Sequence, residues 1–451
     1  MVVIKRTEPQ QTQERSFAFT LQDVLADGVD TPFLRDYRAR AWKTFQSLPM
    51  PNTRDEAWRR TDLRQMPVET FQPVRSAAKR GERVPPALLR PLVGRQHSGQ
   101  LLLSPAAAAL RIEEDELTRQ GVIFSSIPQA AQQHPQVVEK VLGQVVRPEE
   151  GKFAALAAAM LRDAALVYVP RGVQVNAPLH SVFWGAPGNQ ALFSYLIVWL
   201  EEGASLAYVH EWASPLEKQA QSMHAGVVEV HVGDAASLQF VELQSWGTHV
   251  WNFTHERAVV GRDGNLDWIF GAVGSHLTKN FTSLDLNGQG ANGRMSGFYF
   301  TDGVQHLDHD TQQNHLVPNT SSDLLFKGAL QGQSRSVWQG MIYVAPGAQK
   351  TDGYQANRNL VLSPQARADS IPGLEIMAND VRCTHGATVG KIDPEQIFFL
   401  RSRGIPKAEA ERVVVEGFFD QVMQRIPFDG VRTRFKQSIL HKMTKKGIIT
   451  S

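Results

Sequence analysis

Between residues 166 and 383 the apolar residues fall in short alternating runs separated by Gly, Asp and Asn. SLAYVHEW, VVEVHV, LQFVELQSW, LDWIFGAV, RMSGFYF and VWQGMIYV have the period-two pattern and the β-branched and aromatic content of strands. The runs also resemble one another. EEGASLAYVHE, VGDAASLQFVEL and GRDGNLDWIFGA each place a turn, a small or polar residue, a leucine and then a strand. The leucines are Leu206, Leu238 and Leu266, at steps of 32 and 28 residues, and GANGRMSGFYF puts Met295 a further 29 along. Self-similarity at a period of roughly 30 residues predicts stacked coils whose same-face apolar residues share one interior. A parallel β-solenoid accounts for this better than a sandwich, whose turns come about every 8 to 12 residues without such repetition.

The flanks follow a different pattern. In TPFLRDYRARAWKTFQSLP, Leu34, Tyr37, Ala41 and Phe45 recur at helical spacing, with Thr31 as cap and Pro32 at the first helical position. GQLLLSP and GVIFSSIP read as short strands, and EGKFAALAAAMLRDAALVYVP passes from an alanine-rich helix to a strand near Leu166. Residues 73–92 carry little pattern and read as linker. Near the other end, PEQIFFLRSRG opens with Asp393 and Pro394 and stops at Gly404. The next segment carries Ala410, Val414, Phe418, Val422 and Ile426 at four-residue steps, and the last carries Val431, Phe435 and Ile439. The chain therefore divides into a mostly helical part (1–165), a parallel β-helix core (166–390) and a C-terminal helical domain (391–451). Three short helices make a small core, which leaves their apolar stripes as a candidate partner surface.

Composition narrows the function. The 451 residues carry a net charge of only +2, which gives no overall electrostatic case for nucleic acid or an acidic membrane as partner. The basic residues Lys436 and Lys442 to Lys446 read as a solvated end. No run of about 18 apolar residues suggests a membrane span, and the first residues lack the apolar core of a secretory leader. A single cysteine, Cys383, cannot form an intrachain disulfide, so a cytoplasmic protein is expected. The nucleophile elbow, the zincin motif and the phosphate loop are all missing from the sequence, which weakens an enzymatic reading. GQGANG, Gly288 to Gly293, matches a dinucleotide fingerprint by letters. A strand pattern follows it, where the fingerprint needs a helix, so it reads as a solenoid corner.

Two clusters carry candidate chemistry. In HLDHDTQQNH, His306 and His309 point to opposite faces of an extended strand, and a corner is expected between His309 and His315. Solvated or internally hydrogen-bonded histidines fit this best, with a homodimeric metal-binding protein as an alternative. In VRCTHG, Cys383 and His385 stand two apart on a strand and share a face. They could be a nucleophile with its base, half of a metal site, or an inert thiol beside a surface imidazole. One thiol cannot enclose an iron–sulfur cluster, which usually takes four. A carbohydrate-active β-solenoid is a further alternative and would need convergent carboxylates.

CTHGATVGKIDPEQIFFLRSRGI (Cys383 to Ile405), GAQKTDGYQANRNLVLS (Gly347 to Ser363) and EAWRRTDL (Glu56 to Leu63) resemble three blocks of the SufB/SufD family of the SUF iron–sulfur cluster assembly system. The glycine after His385 and the lack of a second cysteine resemble its SufD branch. The resemblance implies a right-handed parallel β-helix flanked by helical domains. It also implies a scaffold that is not an enzyme, pairing with SufB through the β-helix and binding one SufC ATPase through its C-terminal helical region. Phe398, Arg401, Arg403, Val414 and Phe418 are the candidate contacts there. ATP hydrolysis would belong to SufC, in keeping with the missing phosphate loop. The family's cluster-forming histidine carries over to His385, and Cys383 matches a family position, both at a nascent cluster shared with SufB. Thr384 stands where serine is commoner. The implied cargo is a transient iron–sulfur cluster on the assembled complex, with none tightly bound to the isolated chain, which could pair with itself.

Overall fold

A computed structural model describes residues 16–25, 31–74, 84–86, 88–94, 97–104, 107–113, 115–185, 188–217 and 219–444. The expected linker and the end of the basic run fall partly outside them. Two ten-stranded sheets form a parallel β-solenoid of about eight coils. From Asp163–Val169 onward, successive strands alternate between the sheets. Gln190–Leu200, Ser222–Val232 and Val250–Val260 stack in the first sheet, and Leu179–Trp184, Ser205–Ala213 and Ser237–Ser245 in the second. The sheets start before this point. Gly99–Ser104 lies parallel to Leu179–Trp184, and Ile123–Ser126 pairs antiparallel to Asp163–Val169, covering the first end of the stack.

The repeat seen in the sequence is a true register. Leu206, Leu238 and Leu266 are Cα partners on adjacent strands. Met295 departs from the expected ladder: it partners Trp268, and Gly293 is the partner of Leu266. A Cβ on Gly293 would lie 2.4 Å from Cδ2 of Leu284, so a leucine from the facing wall fills that place in the column.

The corners explain the Gly, Asp and Asn between strands. Gly288 to Gly293 is a corner, as expected. A Cβ on Gly288 would meet Arg262 N at 1.9 Å, and Gly290 has φ +78°. One left-handed residue per coil stacks along this side: Gly203, Ala235, Asp263, Gly290, Asn319 and Lys350. The N–H of each donates to a carbonyl of the following coil, from Gly203 to Asp234 through to Lys350 to Asp380, so the corner is a backbone hydrogen-bond spine.

Parallel sheets need cover on both faces. The helices Pro32–Ser47 and Lys152–Ala159 cover the first sheet, where Phe153 stacks on Phe253 at 3.8 Å. The block EAWRRTDL docks here. The Thr61 hydroxyl bonds Nε2 of His306 at 3.0 Å and donates to Asp308, while Nζ of the buried Lys279 lies 3.0 Å from Oδ1 of Asp308 and over Trp58. His306 and Asp308 thus form the socket for an N-terminal segment. The strand His306–His315 runs unbroken, without the expected corner, because both neighbours are also ten-residue strands in matching register. His315 is bonded by Thr320 at 2.7 Å and Ser322 at 2.8 Å. The three histidines do not converge, and among the described residues no three His, Cys, Asp or Glu side chains are grouped to hold a metal ion.

The C-terminal helices Lys407–Met423 and Asp429–Thr444 cover the second sheet. Val415, Phe419, Val422, Val431, Phe435 and Ile439 pack on Phe298, Leu325 and Ala356 of the solenoid wall, so these helices share a core with it. Of the expected stripe, Ala410, Val422 and Ile426 are buried, while Val414 and Phe418 are half-buried and their neighbours Val415 and Phe419 are buried instead. Four-residue steps drift by about 40° each on a helix of 3.6 residues per turn, so a line of such steps does not keep to one face throughout. Lys442, expected in a solvated end, is buried, with Nζ 2.7 Å from Phe300 O and 2.7 Å from Gln305 Oε1. Among the described residues no helix is long and apolar enough to cross a membrane.

Candidate functional site

The far end of the stack is open. Its last coil consists of Arg367–Ile376 and Arg382–Lys391, each paired on one side only among the described residues. Register carries the interior columns through this coil without a further layer on top. Leu374, Ile376 and Val389 continue those columns and are 37%, 38% and 50% exposed. An uncovered β edge backed by exposed apolar side chains is a template for another chain.

Cys383 and His385 lie on this coil, on the interior face. Cys383 ends the column Leu206, Leu238, Leu266, Gly293, Ser322, Gly353 and packs with Ile342, Val344 and Ala348. A Cβ on Gly353 would lie 3.3 Å from its Sγ and 3.4 Å from Nε2 of His315. Burial pushes the thiol pKa up and the Asp352 carboxylate adds to this, while a hydrogen bond from the Gly353 backbone opposes it. The thiol is therefore not activated in this chain, and its use as a ligand requires a metal or a partner's charge to displace the proton. His385 ends the column Trp268, Met295, Leu324, Gln355 and is exposed. No described residue hydrogen-bonds its ring. Two donors on one face can complete a metal site whose other ligands come from elsewhere, and cannot make one alone.

Directly beneath lies a tier that the sequence reading passed over. Gln355, Asn357 and Asn359 alternate on Asp352–Val361 and are buried under His385, Ala387 and Val389. Gln355 Nε2 donates to Gly373 O at 2.8 Å, Asn359 Nδ2 to Asn357 Oδ1 at 2.6 Å, and Tyr299 OH to Asn359 Oδ1 at 2.5 Å; Ser370 also donates to Asn357. The signal was present as Q-x-N-x-N within GYQANRNLVLS, a polar alternation that places three carboxamides on one strand face.

The expected partner contacts separate into two groups. On the helix Pro394–Arg401, capped by Asp393 through the Glu395 N–H at 2.9 Å, Phe398 is 74% exposed. Phe399 is exposed as well, with the Arg403 guanidinium 3.4 Å above its ring, and Arg401 and Arg403 face solvent. Val414 and Phe418 instead line an open groove of about 500 Å³ with Leu360, Ile392 and Gln396. Two converging interior carboxyls, Glu242 and Glu256, line a cavity of about 30 Å³, room for a water molecule and not for a sugar ring.

Residues 183–418 match the family described as SUF system FeS cluster assembly, SufBD core domain, and residues 16–180 match the SufBD protein N-terminal region. The chain belongs to the SufBD family. An iron–sulfur cluster assembly SufBD family protein of Staphylococcus aureus (strain USA300) is 28% identical over 412 residues, covering 88% of this chain and 86% of that protein. A protein of the same description from Staphylococcus epidermidis (strain ATCC 12228 / FDA PCI 1200) has the same identity and coverage. The SufBD core match takes in the corner spine, the open end and the exposed helix that follows it.

Proposed function

We propose that this SufBD-family chain is a SufD-type scaffold subunit, not itself an enzyme, on which an iron–sulfur cluster is assembled in the cytoplasm. A SufB-type partner closes the open end of the solenoid, and a SufC-type ATPase docks on the C-terminal helical region around Phe398, Arg401 and Arg403, reaching the groove at Val414 and Phe418. His385, with Cys383, supplies ligands to the nascent cluster, which is cargo and is passed on. The observation that carries this reading is the juxtaposition of the Cys383–His385 face with an unpaired strand edge and the exposed Leu374, Ile376 and Val389. Closing that edge with a second solenoid would bury the apolar residues and bring the missing donors to the site.

The test is His385→Ala in the complex co-expressed with SufB- and SufC-type partners, with iron and sulfide content read after purification. Cluster yield should fall by about tenfold or more while the partners still co-purify. Unchanged yield on an intact complex removes the assignment. The same edge would let the isolated chain pair with a second copy, which sedimentation of the chain alone would show as a dimer that the SufB-type partner displaces.

A further inference from the structure

We infer that Gln355 is a positioning residue for His385, orienting its ring so that one nitrogen is free for iron. The inference rests on the assignment of His385 as a ligand. Gln355 and His385 are Cα partners on adjacent strands of the second sheet, about 4.8 Å apart by the strand spacing, with both side chains on the interior face. The Gln355 carboxamide cannot turn over freely, because its Nε2 donates to Gly373 O at 2.8 Å and to Gly340 O at 3.4 Å, both on the first sheet. Those two carbonyls fix which end is nitrogen. Oε1 is thereby left buried with no donor among the described residues. Buried acceptors are almost always paired, and one left open next to a candidate site points to a partner that arrives with function.

The rung above carries an imidazole that itself lacks a partner. A histidine that binds a metal through one ring nitrogen almost always donates the other ring N–H to a nearby acceptor, which sets the tautomer and the ring plane. Gln355 Oε1 is placed for that role. When rotation of the His385 side chain brings a ring N–H onto Oε1, the second nitrogen is unprotonated and faces the open end. A neutral carboxamide does this without adding charge to the buried amide tier of Asn357 and Asn359.

The test compares Gln355→Met, which keeps the length and loses the acceptor, with Gln355→Glu, which keeps an acceptor oxygen, alone and combined with His385→Ala in the co-expressed complex. Gln355→Met should lower cluster yield about tenfold with partner co-purification unchanged. Gln355→Glu should restore most of it at a pH where the buried carboxyl is protonated, so that its O–H donates to Gly373 O and its other oxygen remains an acceptor. In the His385→Ala background Gln355→Met should cost nothing more, because the two act as one unit. If His385→Ala lowers yield and Gln355→Met does not, the inference fails and the ligand assignment stands. If Gln355→Met costs the same factor with or without His385, or if Gln355→Glu fails equally with a reduced unfolding midpoint, Gln355 serves the fold and the inference is overturned. If His385→Ala has no effect, both fall together.

Discussion

Ala235 stands in the corner spine at φ +53°, where its neighbours one coil away are Gly203 and Asp263. A non-glycine residue in this region carries about 1–2 kcal/mol of steric cost. Its methyl is exposed, so little packing offsets that cost. Glycine there would relieve the strain and lose part of the gain, about 0.4–1 kcal/mol, to the greater freedom of the unfolded chain. Ala235→Gly should therefore raise stability by about 0.5–1 kcal/mol, read as a higher urea midpoint at unchanged slope; a lower midpoint would contradict the strain argument. At this scale the sequence was partly legible. Cys383 and His385 could be placed on one face by parity alone. The role of Gly353, whose missing side chain leaves the Cys383 thiol and His315 as neighbours, could not, because it depends on which strands become partners.

At the scale of the element, the helix Lys407–Met423 shows what spacing can and cannot reveal. The existence of the helix was readable, and so was the stripe of the helix that follows. The packed face was not, because several apolar residues are adjacent in VVVEGFF and only the contact with the solenoid wall singles out Val415 and Phe419 from Val414 and Phe418. Truncating Phe419 should cost about 3–5 kcal/mol in chemical denaturation, whereas Phe418→Ala should cost well under half of that. Equal losses would place the packed face elsewhere. The same limit applies to His306 and Asp308: solvated or internally hydrogen-bonded histidines were the favoured reading, but the partner of this motif is Thr61, 245 residues earlier in the chain, which no local pattern announces.

For the molecule as a whole, the two walls of the solenoid meet at a pair of acidic groups. Glu242 from the second sheet and Glu256 from the first are both buried. Glu256 accepts from Asn280 at 2.6 Å and Thr282 at 3.1 Å, while Oε1 of Glu242 has no donor. Nearby interior titratable groups are Tyr208, its pKa raised by burial so that it stays protonated, and His210, His224 and His309, held neutral by burial with pKa values lowered to about 3, 4 and 4. Burial raises both pKa values, that of Glu256 to about 7, and the nearby Glu256 carboxylate raises that of Glu242 further. The folded state therefore holds more protons than the unfolded one between the ordinary glutamate value of about 4.3 and the raised values, so this pair's contribution falls as pH rises through that window. The histidines act in the opposite sense below about pH 6.5, so the comparison is read above pH 7. There the unfolding midpoint of the native chain should decline with pH, and Glu242→Gln should flatten the decline. Parallel profiles for the two proteins would exclude this coupling. None of it was legible beforehand, since the two glutamates belong to different sheets.

The corner spine fixes a unit of change. Each coil begins and ends at equivalent left-handed residues, so removing or adding one whole coil joins like to like, whereas any other length change in the strands breaks the columns. The distance from the N-terminal cover to the exposed rung at Cys383 and His385 is consequently quantised, in increments of about 4.8 Å. Relatives that differ in rod length should differ by whole coils, and each such step would move the terminal donors along the axis without turning them away from the open end.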